Sequence, residues 1–465
     1  MKLTVATNWD PKLIEELSKY PVYDVYGVSQ KSIVGGGRPS FLLPEVSDEE
    51  IADYIKMVHD KKMKFSYLLN APCMNNMEYN PKYHKKLIEH LQWISDVGTD
   101  NVIITTPFLM TIVKEQFPNL KIRVSTIAHV NSVNRAKFYE QLGASEITLD
   151  VMINRDFETL KRIKKNVKCQ VNLLLTDGCL YQCPFRYYHY NILGHASQKH
   201  NQFKGQYHDF CIVNCSIIKF SDAAEVLKAR WIRPEDLHMY EEIGIDHFKI
   251  AGRRMPTAWI LRSVDAFTNR KYEGNLVDII QGFSMSIGIE NDPNAGMQDS
   301  ISDENKARLY IDNTKLDGFL EFFKKQNCIA MCGDCDYCKK WADKAVIYND
   351  DDAEAYVDSL KEYNHSMATS EEFLGSKKKG GKDKQGMPWN PKTQEIFDDL
   401  IAKSPKSTRP MAKMVVSGMA KKNAKKRGSN IVEDEDMVDA FLKGTPKPFQ
   451  KDLRKNLKKH GFDVE

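Results

Sequence analysis

The sequence predicts an α/β protein: a (β/α)8 TIM-like barrel, then an α-rich cysteine-containing extension, then a small C-terminal three-helix domain. Three observations predict it. Residues 1–275 repeat a strand–helix rhythm eight times, and eight such units in about 250 residues fill one barrel. No glycine-rich phosphate turn follows the first apolar run, where Val5 to Trp9 reads VATNW; a doubly wound open sheet would usually carry one there. The pattern then changes to helical periodicity and stays helical to the C-terminus.

The strands are expected at Leu3–Thr7, Tyr23–Val28, Lys64–Leu69, Val102–Thr106, Ile122–Ile127, Glu146–Val151, Gln170–Leu175 and His247–Ile250. Amphipathic stretches between them, such as Asp48–His59, Pro81–Val97, Val133–Leu142 and Phe157–Asn166, supply the helices. Residues 276–365 form the α-rich extension. Residues 366–386 are a linker, and Gly375–Gly386 within it contains no apolar side chain, the composition of a flexible segment. Residues 387–465 form the small helical domain, with helices over Pro391–Ser404, Arg409–Lys426 and Val432–Leu442, and with Gly428 as a stop and Ser429 and Asn430 as a cap.

Active sites on this barrel lie at the C-terminal ends of the strands. Polar residues cluster at those ends. Asn8 follows the first, the Gly35–Arg38 run (GGGR) lies beyond the second, Asn70 follows the third, Asp150 closes the sixth, Asp177 and Cys179 follow the seventh, and Arg253 and Arg254 follow the eighth. Arg38, Asn70 and Arg253 are therefore candidates for binding a small anionic substrate, because a guanidinium offers a bidentate fork to a carboxylate. Asp150, Lys249 and Arg253 are the candidate catalytic groups, Lys249 only if burial lowers its pKa. For each of these residues taken singly, loop chemistry, capping or a strand-end ion pair is the competing reading.

The chain has 465 residues, of which 42% are hydrophobic and 28% charged, the balance of a globular protein of about three domains. No apolar run reaches the roughly 18 residues that span a bilayer, and the N-terminal MKLTVATNWD is no signal peptide. A cytoplasmic location is expected. The net charge of +4 hides an asymmetry: from Ser376 onward 22 Lys and Arg face 12 Asp and Glu. That basic region suits RNA, an acidic partner or simply solvated helix faces.

Eight of the ten cysteines fall into two groups. Cys179, Cys183, Cys211 and Cys215 form two Cys-x3-Cys pairs; Cys328, Cys332, Cys335 and Cys338 lie within eleven residues. In a reducing compartment such spacing reads as metal ligation, since short loops bring thiolates to one centre. An iron–sulfur cluster and zinc both fit the first group, with His189, His195, His200 and His208 nearby; the second suits a 4Fe-4S cluster or zinc equally. Cys73 and Cys169 read as ordinary buried residues.

Thr176 to Cys183 (TDGCLYQC), then Asp209, Phe210 and Cys211, then Ile245 to Arg253 (IDHFKIAGR), resemble the peptidase U32 family, as does Glu146 to Asp150 with Arg155. The resemblance covers roughly residues 1–275. It implies a barrel with a 4Fe-4S cluster on Cys179, Cys183, Cys211 and Cys215, and oxygen-independent hydroxylation of a ubiquinone precursor, a tRNA wobble uridine or a ribosomal RNA cytidine, with prephenate as oxygen donor in some members. Three departures stand out: Ala251 replaces the glutamate of the usual Lys-Ile-Glu-Gly-Arg motif, Pro184–Phe210 is an insertion, and a cysteine used by some members is missing around Gly35–Arg38. The family's peptidase name finds no Cys-His, Ser-His or zinc-protease motif to support it here. Residues 387–465, through Met387 to Pro391 (MPWNP) and Arg409 to Gly428, resemble the C-terminal domain of the light-independent protochlorophyllide reductase B subunit.

The expected function is therefore an iron–sulfur oxidoreductase, hydroxylase-like, acting on a small anionic or aromatic substrate and served by a redox partner protein. A tRNA- or rRNA-modifying hydroxylase, with the basic C-terminal region as electrostatic handle, is the first alternative. An electron-transfer or assembly partner and a U32-type peptidase are the others.

Overall fold

The computed structural model describes residues 1–30, 32–40, 43–198, 210–283, 309–326, 328–348, 350–369, 387–404, 409–445 and 447–464. His200, His208 and the Gly375–Gly386 linker lie outside them. Two compact units emerge. One holds Met1–Ser284 and Leu309–Tyr348; the other includes the described residues from Asp350 on. The 276–365 extension is thus shared between the two.

The first unit is a closed barrel of eight parallel strands: β1 (Lys2–Ala6), β2 (Val22–Gly27), β3 (Lys64–Leu69), β4 (Asn101–Ile104), β5 (Lys121–Val124), β6 (Ala144–Thr148), β7 (Gln170–Leu174) and β8 (His247–Ile250), with β8 closing on β1 through Leu3 opposite Phe248. The predicted strands and this barrel coincide within three residues at each end, the largest differences being at the C-terminal ends of β5 and β6. Helices return the chain from one strand to the next. Their starts are chemically marked: Ser47 and Glu50 make a reciprocal capping box on α2 (Asp48–Asp60 in sequence after α1, Pro11–Leu17), and Asn80 caps α3 (Pro81–Asp96), whose first residue is a proline. Leu87, Leu91 and Ile94 of α3 are buried, the spacing that turns one helix face to the barrel.

The barrel interior carries a charged layer that the alternation of residues did not predict. Arg123 of β5 bonds Asp24 of β2 at 2.5 Å and lies 3.2 Å from Glu146 of β6. Ser66 and Asn101 donate to Asp24, Asn172 donates to Glu146, and His247 lies 3.2 Å from Glu146. All are buried. Seven strands, β2 to β8, are thereby cross-linked by polar contacts, at a level that branched aliphatic side chains usually fill.

Beyond the barrel, β9 (Leu309–Ile311) and β10 (Val346–Tyr348) pair antiparallel, two short strands inside the stretch read as α-rich. Between them a helix over Tyr337–Ala345 packs on the helix over Ala223–Lys228.

From residue 387 the described residues form four helices, not three: Pro391–Lys403, Arg409–Lys426, Asp434–Gly444 and Lys447–Lys459. The last was missed because its lysines mask an i, i+4 pair, Leu453 and Leu457, that enters a core with Phe397, Leu400, Ala420, Met437 and Phe441. Arg427 clamps Asp436 at 2.6 Å, and Thr393 bonds Asp434 at 2.5 Å. Among the described residues no helix is long and apolar enough to cross a membrane.

Candidate active site

The C-terminal ends of the strands enclose a cavity of about 130 Å³. Arg38, Asn70, Lys249, Arg253 and Cys179 all line it, joined by Tyr26, Ser125, Asp177, Tyr190 and Gln281. Four of the predicted substrate and catalytic residues and the first cysteine therefore share one wall. A larger depression of about 480 Å³, lined by Thr314, Lys315, Asp317, Trp341 and Lys344, is an open surface dish without such convergence.

The loop after β2 is set by small residues. Gly36 donates to Ser197 Oγ at 2.8 Å and accepts from the same hydroxyl at 3.0 Å, which ties the loop to the helix over Arg186–Ser197. Asn70 follows β3, and its amide donates to Ser125 Oγ at 3.0 Å. Its Oδ1 is buried and accepts no hydrogen bond. Arg253, as a residue, is partly exposed, yet its Nη1 is sealed from solvent and donates to nothing. Burial lowers the Arg253 guanidinium to about 10, with Arg38 adding to the effect and Tyr26 opposing it. A buried donor and a buried acceptor left open together mark a place prepared for a ligand.

Lys249 ends the interior of β8. Its ammonium lies 4.0 Å from the centre of the Tyr26 ring, and the Tyr26 hydroxyl donates to the Ile250 carbonyl at 3.2 Å. Burial, reinforced by Arg123, lowers Lys249 to about 7 despite Asp24 and Glu146. The condition set by the sequence, burial of this lysine, is met.

Asp150 does not line the cavity. It accepts from Arg186 and Met152 and lies 3.3 Å from His129 Nδ1. Burial alone would raise its carboxyl, but His129 and Arg186 hold it below the usual carboxylate range. Arg186 was not singled out in the sequence. The available signal was its place three residues after Cys183, where a cation can tie the cysteine loop to the end of β6. Tyr26 and Lys219 were likewise missed, each sitting in a strand or helix that reads as structural, and so was Arg230, in the loop two residues past the helix over Ala223–Lys228.

The cysteine loop leaves β7 at Thr176. Asp177 pairs with Gln281, Gly178 donates to the Gln281 carbonyl at 2.9 Å, and Asp177 accepts from the Cys179 amide. Gly178 is required there, since a Cβ would stand 2.5 Å from that carbonyl and 2.6 Å from Phe283. Cys211, Cys215 and the buried Lys219 recur every fourth residue along the helix over Phe210–Ser221 and share one face. Burial raises Cys179 well above the ordinary thiol value; Asp177 and Cys215 push the same way, against Arg186 and Lys219. Burial also raises Cys183, again with Cys215 in reach. No disulfide engages any of the ten cysteines.

As donors, unbridged thiols in mutual electrostatic reach, with two cations beside them, suit an anionic tetrathiolate centre, whose metal would reverse the upward shift. Among the described residues, though, no three His, Cys, Asp or Glu side chains are already gathered to hold an ion. The donor chemistry fits such a centre, while the arrangement in this structure does not gather the thiols around one point.

The architecture and this mouth define a parallel (β/α)8 barrel protein with arginines, a low-pKa lysine and a cysteine-bearing loop around one cavity. The chain belongs to peptidase family U32, whose sequence model matches residues 41–273. It is 31% identical over 350 residues to an uncharacterized protease of Methanocaldococcus jannaschii, covering 74% of this chain and 95% of that one. It is 31% identical over 160 residues to tRNA hydroxylation protein P of Haemophilus influenzae, a match that spans 33% of either chain. A solved structure of a U32 peptidase aligns at 19% identity and a TM-score of 0.40, over 55% of this chain and 94% of that one.

Proposed function

We propose that the chain is an oxidoreductase that binds a small anionic, carboxylated or phosphorylated, substrate at the barrel mouth and modifies it by an oxygen-independent hydroxylation or related redox step. The observation that carries this reading is the single cavity lined by Arg38, Asn70, Lys249, Arg253 and Cys179. Cys179, Cys183, Cys211 and Cys215 are the ligands proposed for a 4Fe-4S cluster, which when bound would supply one-electron chemistry beside the cavity. The protein's own groups do the rest. Arg253 Nη1 offers its open hydrogen bond to an anionic oxygen, with Arg38 adding positive potential. Asn70 Oδ1 accepts from a hydroxyl or N–H on the same ligand. Lys249, titrating near neutrality, gives or takes a proton. Asp150 is a positioning residue: it holds Arg186, and through it the cysteine loop.

A second reading makes RNA the substrate, and the name of the Haemophilus influenzae relative favours it. The basic helices from residue 387 would then supply phosphate contacts. The resemblance read in the sequence of residues 387–465 to a protochlorophyllide reductase domain would instead suit an electron-transfer or assembly partner. Calorimetric titration of small carboxylates and phosphates into the anaerobically prepared chain, beside gel shifts of tRNA at graded salt, tests the choice. Binding of a small anion that Arg253→Met abolishes supports the first reading. Absence of any such binding together with a salt-dependent tRNA shift overturns it in favour of the second.

A further inference from the structure

Arg155 and Arg230 are both buried, neighbouring guanidiniums, and among the described residues neither is ion-paired to a carboxylate. Arg155 donates to the carbonyls of Leu227 and Trp231. Arg230 has less: its Nε and Nη1 are sealed from solvent without a hydrogen bond. Aromatic faces cover them. Arg230 lies 3.7 Å from the centre of the Tyr181 ring, and Arg155 lies 4.9 Å from Trp231 and 5.0 Å from Phe319. Stacking of this kind offsets only part of the cost of burying two like charges. Asp236 is in reach of Arg155, but its own carboxyl is pushed up to about 6 by burial and it lies 3.9 Å from Arg233.

The second group of cysteines lies beside this pair. The Phe319 ring that covers Arg155 also stacks on Tyr337, 5.6 Å away and next to Cys338, and the helix over Tyr337–Ala345 packs on Ala223–Lys228, which ends two residues before Arg230. The fields of Arg155 and Arg230 reach Cys338, and those of Lys228 and Arg230 reach Cys332. Cys328 is in reach of both thiols. The segment is held down by ring contacts. Tyr337 stacks on Phe322 at 3.9 Å, and its hydroxyl donates to the Phe319 carbonyl. Cys328, Cys332, Cys335 and Cys338 are unbridged. Four thiolates around a divalent centre carry about two negative charges, which matches two guanidiniums.

We propose that Cys328, Cys332, Cys335 and Cys338 close on a second thiolate-bound metal centre, zinc or a 4Fe-4S cluster, whose negative charge Arg230 and Arg155 balance. Arg230 is the positioning residue that links it to the first centre's loop, because Tyr181 lies between Cys179 and Cys183. The thiols are not yet gathered in the structure, so binding includes an inward turn of the segment between Cys332 and Cys338.

The test uses the full chain purified without oxygen. Metal and acid-labile sulfide are measured in the wild type, in Cys332→Ser/Cys338→Ser and in Cys179→Ser/Cys183→Ser. The first variant should lose about one zinc, or about four iron with their sulfide, while the second keeps that same amount; the element lost tells zinc from iron. Arg230→Met should release the metal to a chelator about 10- to 100-fold more readily. If the first variant fails to fold, native alkylation of the wild type followed by peptide mapping replaces it. Thiols 328–338 should be protected until a chelator is added. Immediate alkylation of all four in the untreated wild type, or metal content unchanged by Cys332→Ser/Cys338→Ser, overturns the proposal. Failure of the first centre alone would show as identical metal and sulfide content in the wild type and in Cys179→Ser/Cys183→Ser, and would leave the second result standing.

Discussion

Asn70 Oδ1 and Arg253 Nη1 face the same gap in front of Gly36: a Cβ added there would stand 2.9 Å from the oxygen and 3.6 Å from the nitrogen. An open acceptor and an open donor thus flank a space that exists because residue 36 has no side chain. Gly36→Ala should fill it. The expected outcome is at least tenfold weaker binding of a small anion, about 1.4 kcal/mol, with a melting temperature close to wild type. Calorimetry and a thermal melt read both. Unchanged binding would place the ligand elsewhere in the cavity.

Arg253→Met removes the sealed donor itself. Anion affinity should fall by about 2–4 kcal/mol, the usual loss when a buried charged contact is truncated, and metal content should stay as in the wild type. Arg38→Met should cost less, because Arg38 already donates to the Gly37 carbonyl at 3.3 Å and contributes mainly its field.

Anion binding should also weaken as pH rises through about 7, where Lys249 loses its charge. Lys249→Arg should flatten that step, and Lys249→Met should remove it. The same group gives stability an opposite slope. Its folded pKa lies below its unfolded value, so the unfolded chain binds the extra proton between about pH 7 and about pH 10, and stability rises across that window. Urea denaturation across it should show the slope in the wild type and a reduced one in Lys249→Met.

Much of this was legible in the sequence. The strands and the polar residues just beyond them come from runs such as Lys64–Leu69 followed by Asn70, and the barrel brings those strand ends together whatever their distance along the chain. Arg123, Asp24 and Glu146 were not legible as a set. Each sits mid-strand, where a lone charge reads as solvent-facing, and only barrel closure turns the three inward. The committed state of Asp150 was hidden for a related reason: its partner Arg186 lies 36 residues on, inside the Pro184–Phe210 insertion.

That interior layer predicts a large stability effect. Arg123→Met leaves Asp24 and Glu146 buried without their shared cation and should destabilise the barrel by about 3–5 kcal/mol in urea. Adding Asp24→Asn should recover part of the loss, because residues in one ion network do not act additively. Equal stability of Arg123→Met and wild type would mean that water already screens the layer.

The central claim, a cysteine-bound iron–sulfur centre beside an anion cavity, is tested most directly by iron and acid-labile sulfide analysis of anaerobically purified wild type and Cys179→Ser/Cys183→Ser. The account predicts that the variant loses about four iron and about four sulfide, with absorbance near 400 nm falling in proportion and small-anion binding at Arg253 retained. Stoichiometric zinc at this site, or iron and sulfide identical in the two proteins, would contradict it.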